Sequence, residues 1–447
     1  MNRTAEEIEK RIAKRDKRWL TKFFSTSHPA DIAIILDRAD DPDKAWLFSL
    51  LSREKAADVL AEVGEETARK ILKGIELKRL SGIVGELESD EAADIIGELP
   101  LAKREKVLRR VNPEQRAEIK QLLRYGEETA GGIMATEYVA VNDQVTADEA
   151  IEQIRAQADE VEEIYNVYVL DRNGRLVGHL PLKKLFLSGG KTKVSKIMDP
   201  EVVRITTDMD QEDVANIFSK YDLVAVPVVD KRGKLVGRIT VDDVLDVMEE
   251  EFTEDMYKMA GSDSEELLKA SPFKVAKIRL PWLITCLFGG MISAGVIGFF
   301  SGTLKQVIAL AAFIPVIMDM GGNIGTQSST ITVRGIATGH IDLSHIKRLL
   351  LREIRIGALM GVICGAIVGL LAALRYAEYI LALVVGTAMF SAITVAATIG
   401  MLVPLTFYRL KVDPAVAAGP FITTITDITG LGIYFLLATL MLGWLTS

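Results

Sequence analysis

Residues 280–300 run for 21 positions without a charged side chain, and no other feature of the chain restricts its fold as strongly. A helix of that length crosses the roughly 30 Å hydrocarbon layer of a bilayer. Four more stretches share this character: 307–333, interrupted only by Asp319; 356–374; 379–408; and 414–445, interrupted only by Asp427. Five membrane-spanning helices are therefore expected.

The cations between the spans give an orientation, because short cytoplasmic loops are enriched in Lys and Arg. Along the chain the flanks carry Lys274, Lys277 and Arg279; Lys305; Arg334, Lys347, Arg348, Arg352 and Arg355; Arg375; Arg409 and Lys411; and finally none. Rich and poor flanks alternate, which sets the amino-terminal half in the cytoplasm and the carboxyl terminus outside. The first twenty residues are charged and offer no apolar core for a signal peptide.

Charge divides the chain in the same place. Residues 1–270 hold 41 Lys and Arg against 55 Asp and Glu, whereas 271–447 hold 12 against 6. An acidic front half excludes nucleic acid, whose phosphates require a basic surface, and makes cations its natural complement. Cys286 and Cys364 both lie in apolar runs and read as small buried hydrophobes, not as a disulfide. Neither a phosphate-binding loop nor a zinc motif is present, and with four His residues there are few general bases, so an enzyme is not expected.

Residues 20–125 read as short helices in which one phrase recurs: His-Pro-Ala-Asp-Ile from 28, Lys-Ala-Ala-Asp-Val from 55 and Glu-Ala-Ala-Asp-Ile from 91. Such self-similarity suggests a small helical superhelix. A clearer repeat follows, with Val-Tyr-Val-Leu-Asp-Arg-Asn-Gly-Arg-Leu-Val-Gly from 167 matching Val-Pro-Val-Val-Asp-Lys-Arg-Gly-Lys-Leu-Val-Gly from 226. Both read as strand, tight turn at Gly174 or Gly233, strand and helix. This resembles a tandem pair of CBS domains. In nucleotide-holding members a Thr and an Asp three residues later receive the ribose; the second copy offers Thr240 and Asp243, the first only Pro181 and Lys184. The resemblance therefore allows one ATP-type site, unless Thr240 simply caps the following helix.

Asp427 is the most informative residue, because a charge deep in a span costs on the order of 2.5–3.5 kcal/mol and no Lys or Arg lies inside any expected span. A protonated carboxyl, a water-filled cavity or a bound cation would each accommodate it. The local sequence Pro-Phe-Ile-Thr-Thr-Ile-Thr-Asp, with Thr423 and Thr424 on the same helix face, favours the last two. The second span carries Gly-Gly-Asn-Ile-Gly-Thr-Gln at 321–327 after Pro315, a run that suits close helix packing, exposed carbonyls beside a water-filled path, or both. Asp319 fits either the path or the membrane interface.

In the front half, Asp90, Glu91 and Asp94 form one acidic cluster; Asp242, Asp243, Asp246, Glu249, Glu250, Glu251, Glu254 and Asp255 form a second, just before the first span. Like charges at helical spacing repel unless cations screen them.

Taken together, the chain resembles the MgtE family of magnesium channels over nearly its whole length, through the Gly-Gly-Asn-x-Gly-x-Gln and Pro-x-x-Thr-Thr-x-x-Asp pore sequences of the second and fifth spans. The resemblance implies a multidomain membrane protein: an all-α superhelical N domain (1–128), α/β CBS domains (129–192 and 193–250), a connecting helix (251–276) and a pore domain (277–447). The five α-helical spans fall at about 280–300, 304–333, 354–374, 379–408 and 414–445. It implies a homodimer in a bacterial cytoplasmic membrane, with one pore on the two-fold axis and Mg²⁺ held by Asp427, Asn323 and the backbone at Gly419, Thr423 and Gly321. It further implies closure by cytoplasmic Mg²⁺ bridging Asp90, Asp94, Asp210, Glu212, Asp222, Asp243, Asp246, Glu251, Glu254, Asp255 and Asp413. An ion-coupled divalent-cation exchanger using Asp427 is the alternative, and a membrane-tethered sensor a further one.

Overall fold

The computed structural model describes residues 2–158, 161, 163–262, 271–341, 346–417 and 419–441. Two compact units divide the chain, Met1–Met248 and Glu249–Ser447.

In the first unit, ten short helices run from α1 (Asn2–Ala13) to α10 (Pro113–Leu122) among the described residues. The repeated phrase marks the beginnings of α3 (Pro29–Arg38), α5 (Arg53–Glu62) and α8 (Ser89–Gly97). The phrase's last residue is buried in each copy, at Ile32, Val59 and Ile95, and so are the alanine pairs of the second and third copies, Ala56 and Ala57, Ala92 and Ala93. They join one core with Leu20, Phe24, Leu47, Leu80 and Ile119.

Two small sheets follow with identical topology. In the first, β1 (Val139–Asn142) pairs parallel with β2 (Val167–Leu170), which pairs antiparallel with β3 (Leu176–Leu180); α11 (Ala147–Gln157) crosses over and α12 (Leu182–Leu187) ends the copy. In the second, β4 (Ile205–Thr206), α13 (Gln211–Tyr221), β5 (Ala225–Val229) and β6 (Leu235–Thr240) repeat the order. The hairpin register shifts at the same repeat position in both, next to Val169 and Val228. Gly174 and Gly233 adopt φ of +75° and +78°, the left-handed turn that their sequence position requires. The two turns meet: Leu176 N–H donates to the Gly233 carbonyl and Leu235 N–H to the Gly174 carbonyl, at 3.1 and 3.3 Å. That reciprocal pair of bonds ties the copies together with approximate two-fold symmetry.

The last helix of the second copy does not stop at 250. α14 (Val241–Met259) continues unbroken because no Gly or Pro interrupts it before Gly261, which takes φ +70°. Residues 263–270 of the expected connecting helix and 442–445 of the expected fifth span lie outside the described residues.

The second unit contains five helical stretches long and apolar enough to cross a membrane: Pro272–Phe299, Ile308–Ala337, Ile346–Tyr376, Tyr379–Arg409 and Gly419–Leu440. They comprise α15 (Pro272–Phe299), α17 (Ile314–Ala337) with the 3-10 turn before it, α18 (Ile346–Tyr376), α19 (Tyr379–Arg409) and α20 (Gly419–Leu440), with the short α16 (Ser301–Gln306) between the first two. The first begins well ahead of the uncharged run, where Ser271 caps Lys274 N–H and Pro272 opens the helix. α18 and α19 lie against one another through glycines: a methyl at Gly361 would sit 2.8 Å from the Phe390 carbonyl oxygen, and one at Gly365 2.5 Å from that of Gly386. Small residues at four-residue spacing let membrane helices approach this closely.

Candidate functional site

Pro315 falls in the first turn of α17, and the paired glycines leave that helix unbroken. They serve close packing. A methyl at Gly321 would lie 3.7 Å from the Thr426 carbonyl, and one at Gly325 2.8 Å from both Ile422 Cγ2 and Thr426 Cγ2, while Gly430 of α20 faces Ile317. These contacts define an antiparallel register of α17 on α20 in which 317, 321 and 325 meet 430, 426 and 422. Gly321 is therefore buried in the helix contact.

One face of α17 that points away from this contact is polar. Asp319, Asn323 and Gln327, four residues apart, are all exposed in the single chain, and Asn323 Nδ2 donates to Asp319 Oδ2 at 3.2 Å. Beside them on α20, Asp427 is half-buried about 12 Å along the helix from Gly419. Among the described residues no cation pairs with it, and Asp319 is the charge that acts on it, which removes an intramembrane salt bridge as its compensation. The threonines of α20 turn their hydroxyls to their own helix: Thr423 and Thr424 donate to the Pro420 carbonyl at 3.0 and 2.8 Å, and Thr426 to the Thr423 carbonyl at 3.0 Å. Asp427 and the polar face of α17 thus supply the free oxygen donors at this depth.

The inner end of α20 meets the end of α14. Gly419 packs so closely on the Met259 carbonyl that a methyl there would overlap it, and Pro420 lies against Gly261. Met259 also packs on Val333 of α17 and Ala415, and Arg334 stacks its guanidinium 5.1 Å from the Phe252 ring. Four of the acidic residues singled out from sequence converge here. Asp255 is raised to about 6 by burial and by Asp413, with further repulsion from Glu251 and Glu254. Lys258 joins them, donating to Glu254 and, at 2.6 Å, to Asp413. Burial opposes its charge, but the bonds to Asp413 and Glu254 outweigh that and hold the ammonium above its ordinary pKa.

A second group lies in the first unit. Asp90, at the start of α8, is buried, and burial together with the charge of Asp243 drives its carboxyl well above the usual range. Asp243 is pushed up to about 6, chiefly by burial; the Thr240 hydroxyl and N–H both donate to its Oδ2 at 2.7 and 3.1 Å. Thr240 thus bonds to the aspartate itself. Next to the pair, Arg238 of β6 makes a bidentate bond to Glu88 at 3.0 and 3.2 Å and reaches the Glu163 carbonyl at 3.0 Å.

Asp94 and Asp246 are exposed on α8 and α14. Asp210 caps α13 by accepting from Glu212 N–H, while Asp222 ends the same helix with φ +52°, so these three sit at opposite ends of α13. Among the described residues, no three His, Cys, Asp or Glu side chains are gathered as a ready-made metal cage. Carboxylates that repel one another are nonetheless the hard-oxygen partners Mg²⁺ takes, usually through retained water. Lys258 and Arg238 are absent from the sequence reading. Lys258 carries a local signal, four residues after Glu254, but its bond to Asp413 spans a separation that no local pattern reveals.

Family models match over most of the chain: the divalent cation transporter model MgtE at 314–437, the MgtE intracellular N domain at 27–128, and CBS domains at 130–187 and 194–250. The magnesium transporter MgtE of Thermus thermophilus is 36% identical, covering 98% of each chain. That of Enterococcus faecalis is 40% identical over 74% of this chain and 72% of its own. Among solved structures, the cytosolic domain of the Mg²⁺ channel MgtE in complex with ATP is 38% identical, with a TM-score of 0.51 over 54% of this chain and 99% of that one. The soluble part of a magnesium transporter is 30% identical, with a TM-score of 0.50 over 56% and 99%. With a relative this similar over nearly both full lengths, and N domain, CBS pair and five apolar helices in the same order, the chain belongs to the MgtE family of magnesium transporters.

Proposed function

We propose that the protein is a Mg²⁺-selective channel of the cytoplasmic membrane, admitting Mg²⁺ down the membrane potential and closed by Mg²⁺ on its cytoplasmic side. The observation that carries this reading is Asp427, an unpaired carboxylate within a span, next to the exposed polar face of α17. A charge in that position requires water or a cation. A homodimer, with α17 and α20 of two copies facing across a two-fold axis, would cover that face and bring two Asp427 carboxylates to one hydrated ion. Two carboxylates match its double charge, and Mg²⁺ keeps most of its water shell in such a site.

Closure follows from the acidic groups as a two-state linkage. Mg²⁺ bound at Asp90 and Asp243, and at Asp255 with Glu251, Glu254 and Asp413, would relieve their repulsion and favour the arrangement in which the end of α14 covers the start of α20. Asp94, Asp246, Asp210, Glu212 and Asp222 would contribute further ion contacts at the surface. ATP would take the Thr240–Asp243 side of the CBS pair, a reading supported by the relative solved with ATP. The test is Mg²⁺ uptake into proteoliposomes at varied internal Mg²⁺, comparing the full chain, Asp427→Asn and a chain lacking 1–130. Uptake is expected to vanish in the first variant and to escape closure in the second. Uptake in Asp427→Asn equal to wild type overturns the reading.

A further inference from the structure

We propose that Asp319 is a second selectivity-determining carboxylate of the ion pathway, acting at the depth of Asp427; this rests on the reading of α17 and α20 as its lining. From sequence Asp319 fits either the path or the membrane interface. The helix register decides its depth. With 317, 321 and 325 facing 430, 426 and 422, Asp427 comes level with Met320, one residue or about 1.5 Å of rise from Asp319. The charge of Asp319 accordingly acts on Asp427.

Three observations set its surroundings. Its side chain is exposed in the single chain and heads the stripe that continues through Asn323 and Gln327. Asn323 donates to its Oδ2 at 3.2 Å, which holds the carboxylate against α17. Among the described residues no Lys or Arg pairs with it. A bare carboxylate at that depth is too costly to leave facing lipid tails, so it faces the same water as Asp427.

Each chain thus brings two carboxylates to one level of the pathway. The second acts through the ion's water shell, because Mg²⁺ dehydrates reluctantly. At separations of about 10 Å and a water-like dielectric, removing this charge from both copies of a homodimer weakens the hold on a divalent ion by about tenfold, and on a monovalent ion by only the square root of that factor. Asp319 therefore raises the affinity for Mg²⁺ and its margin over monovalent ions, while Asp427 remains the site of passage.

The experiment is Mg²⁺ uptake into proteoliposomes carrying the full chain, with block by hexaamminecobalt(III), a stand-in for hydrated Mg²⁺, and competition by K⁺. Wild type, Asp319→Asn, Asp319→Ser, Asp319→Glu and Asp427→Asn are compared, each checked for wild-type elution and melting. Asp319→Asn and Asp319→Ser are expected to retain uptake at saturating Mg²⁺. Each should raise the half-saturating Mg²⁺ about tenfold, weaken the block at least as much and admit K⁺ competition; Asp319→Glu should restore all three to within about threefold. The proposal is overturned if either neutral variant that elutes and melts as wild type keeps wild-type half-saturation and block while Asp427→Asn has lost uptake. Wild-type uptake in Asp427→Asn overturns the pathway reading itself, a distinct result.

Discussion

Lys258 of α14 bridges its own helix to the segment ahead of α20, donating to Glu254 one turn back and to Asp413 at 2.6 Å. A fixed ammonium thus stands among four carboxylates. Under the proposed closure, it would hold the α14 end near Gly419 and Pro420 even when ions are scarce, and Mg²⁺ would complete a closure that the protein has begun.

Lys258→Met is expected to weaken closure. Both partners are about one-third exposed, so the bridge is worth no more than about 1 kcal/mol after solvent screening, roughly a fivefold change in an equilibrium constant. The internal Mg²⁺ that halves uptake should rise by about that factor, with uptake at zero internal Mg²⁺ unchanged. Lower internal Mg²⁺ for half-closure would show instead that Lys258 competes with the ion.

The Asp90–Asp243 contact makes the first unit sensitive to pH. Burial raises both carboxyls, assisted at Asp90 by the charge of Asp243 and at Asp243, which reaches about 6, by Asp242 and Glu88. An acid whose pKa is raised in the packed form takes up its proton more readily there. Its contribution to packing is therefore complete below the free value near 4 and is lost as pH rises through about 6. In divalent-free buffer, hydrogen exchange at α8 should slow as pH falls from 7.5 to 5.5, and Mg²⁺ or Asp243→Asn should flatten that dependence. Exchange whose pH dependence, corrected for intrinsic rates, is the same in wild type and Asp243→Asn would contradict it.

Arg238→Met should destabilise the first unit by about 2–3 kcal/mol, less than a fully buried pair, because Glu88 retains some exposure. Urea unfolding of residues 1–248 measures it; corresponding stretches of relatives have been solved alone. Glu88→Gln, which keeps an acceptor for the guanidinium, should cost less. Equal losses would show that the charge pairing, not packing of the Arg238 side chain, carries the whole contact.

These contacts mark the limit of what the sequence discloses. The CBS copies are legible because Gly174 and Gly233 sit at the same place in two matched hairpins, and the spans because a charge-free run of twenty residues has few other uses. Asp427 stands out by its cost alone. The arrangement of α17 on α20 is not legible: Gly321, Gly322 and Gly325 suit loosened backbone as well as tight packing, and only Ile422, Thr423 and Thr426 across the contact distinguish the two. Likewise, Arg238 meets Glu88 and Lys258 meets Asp413 across separations of more than a hundred residues, where no periodicity carries information. The continuous α14 is the intermediate case, its course implied by the lack of any breaker before Gly261 yet hidden by the expectation of a domain border at 250.

The central claim is passage of Mg²⁺ past Asp427 under control of cytoplasmic Mg²⁺, and current recorded from the full chain in excised membrane patches tests it most directly. With Mg²⁺ on both sides as the only permeant cation and no other ion gradient, inward current is expected at low cytoplasmic Mg²⁺, falling as that concentration rises and absent in Asp427→Asn. Mg²⁺ movement that requires a proton or Na⁺ gradient, or current that persists in Asp427→Asn, would contradict it.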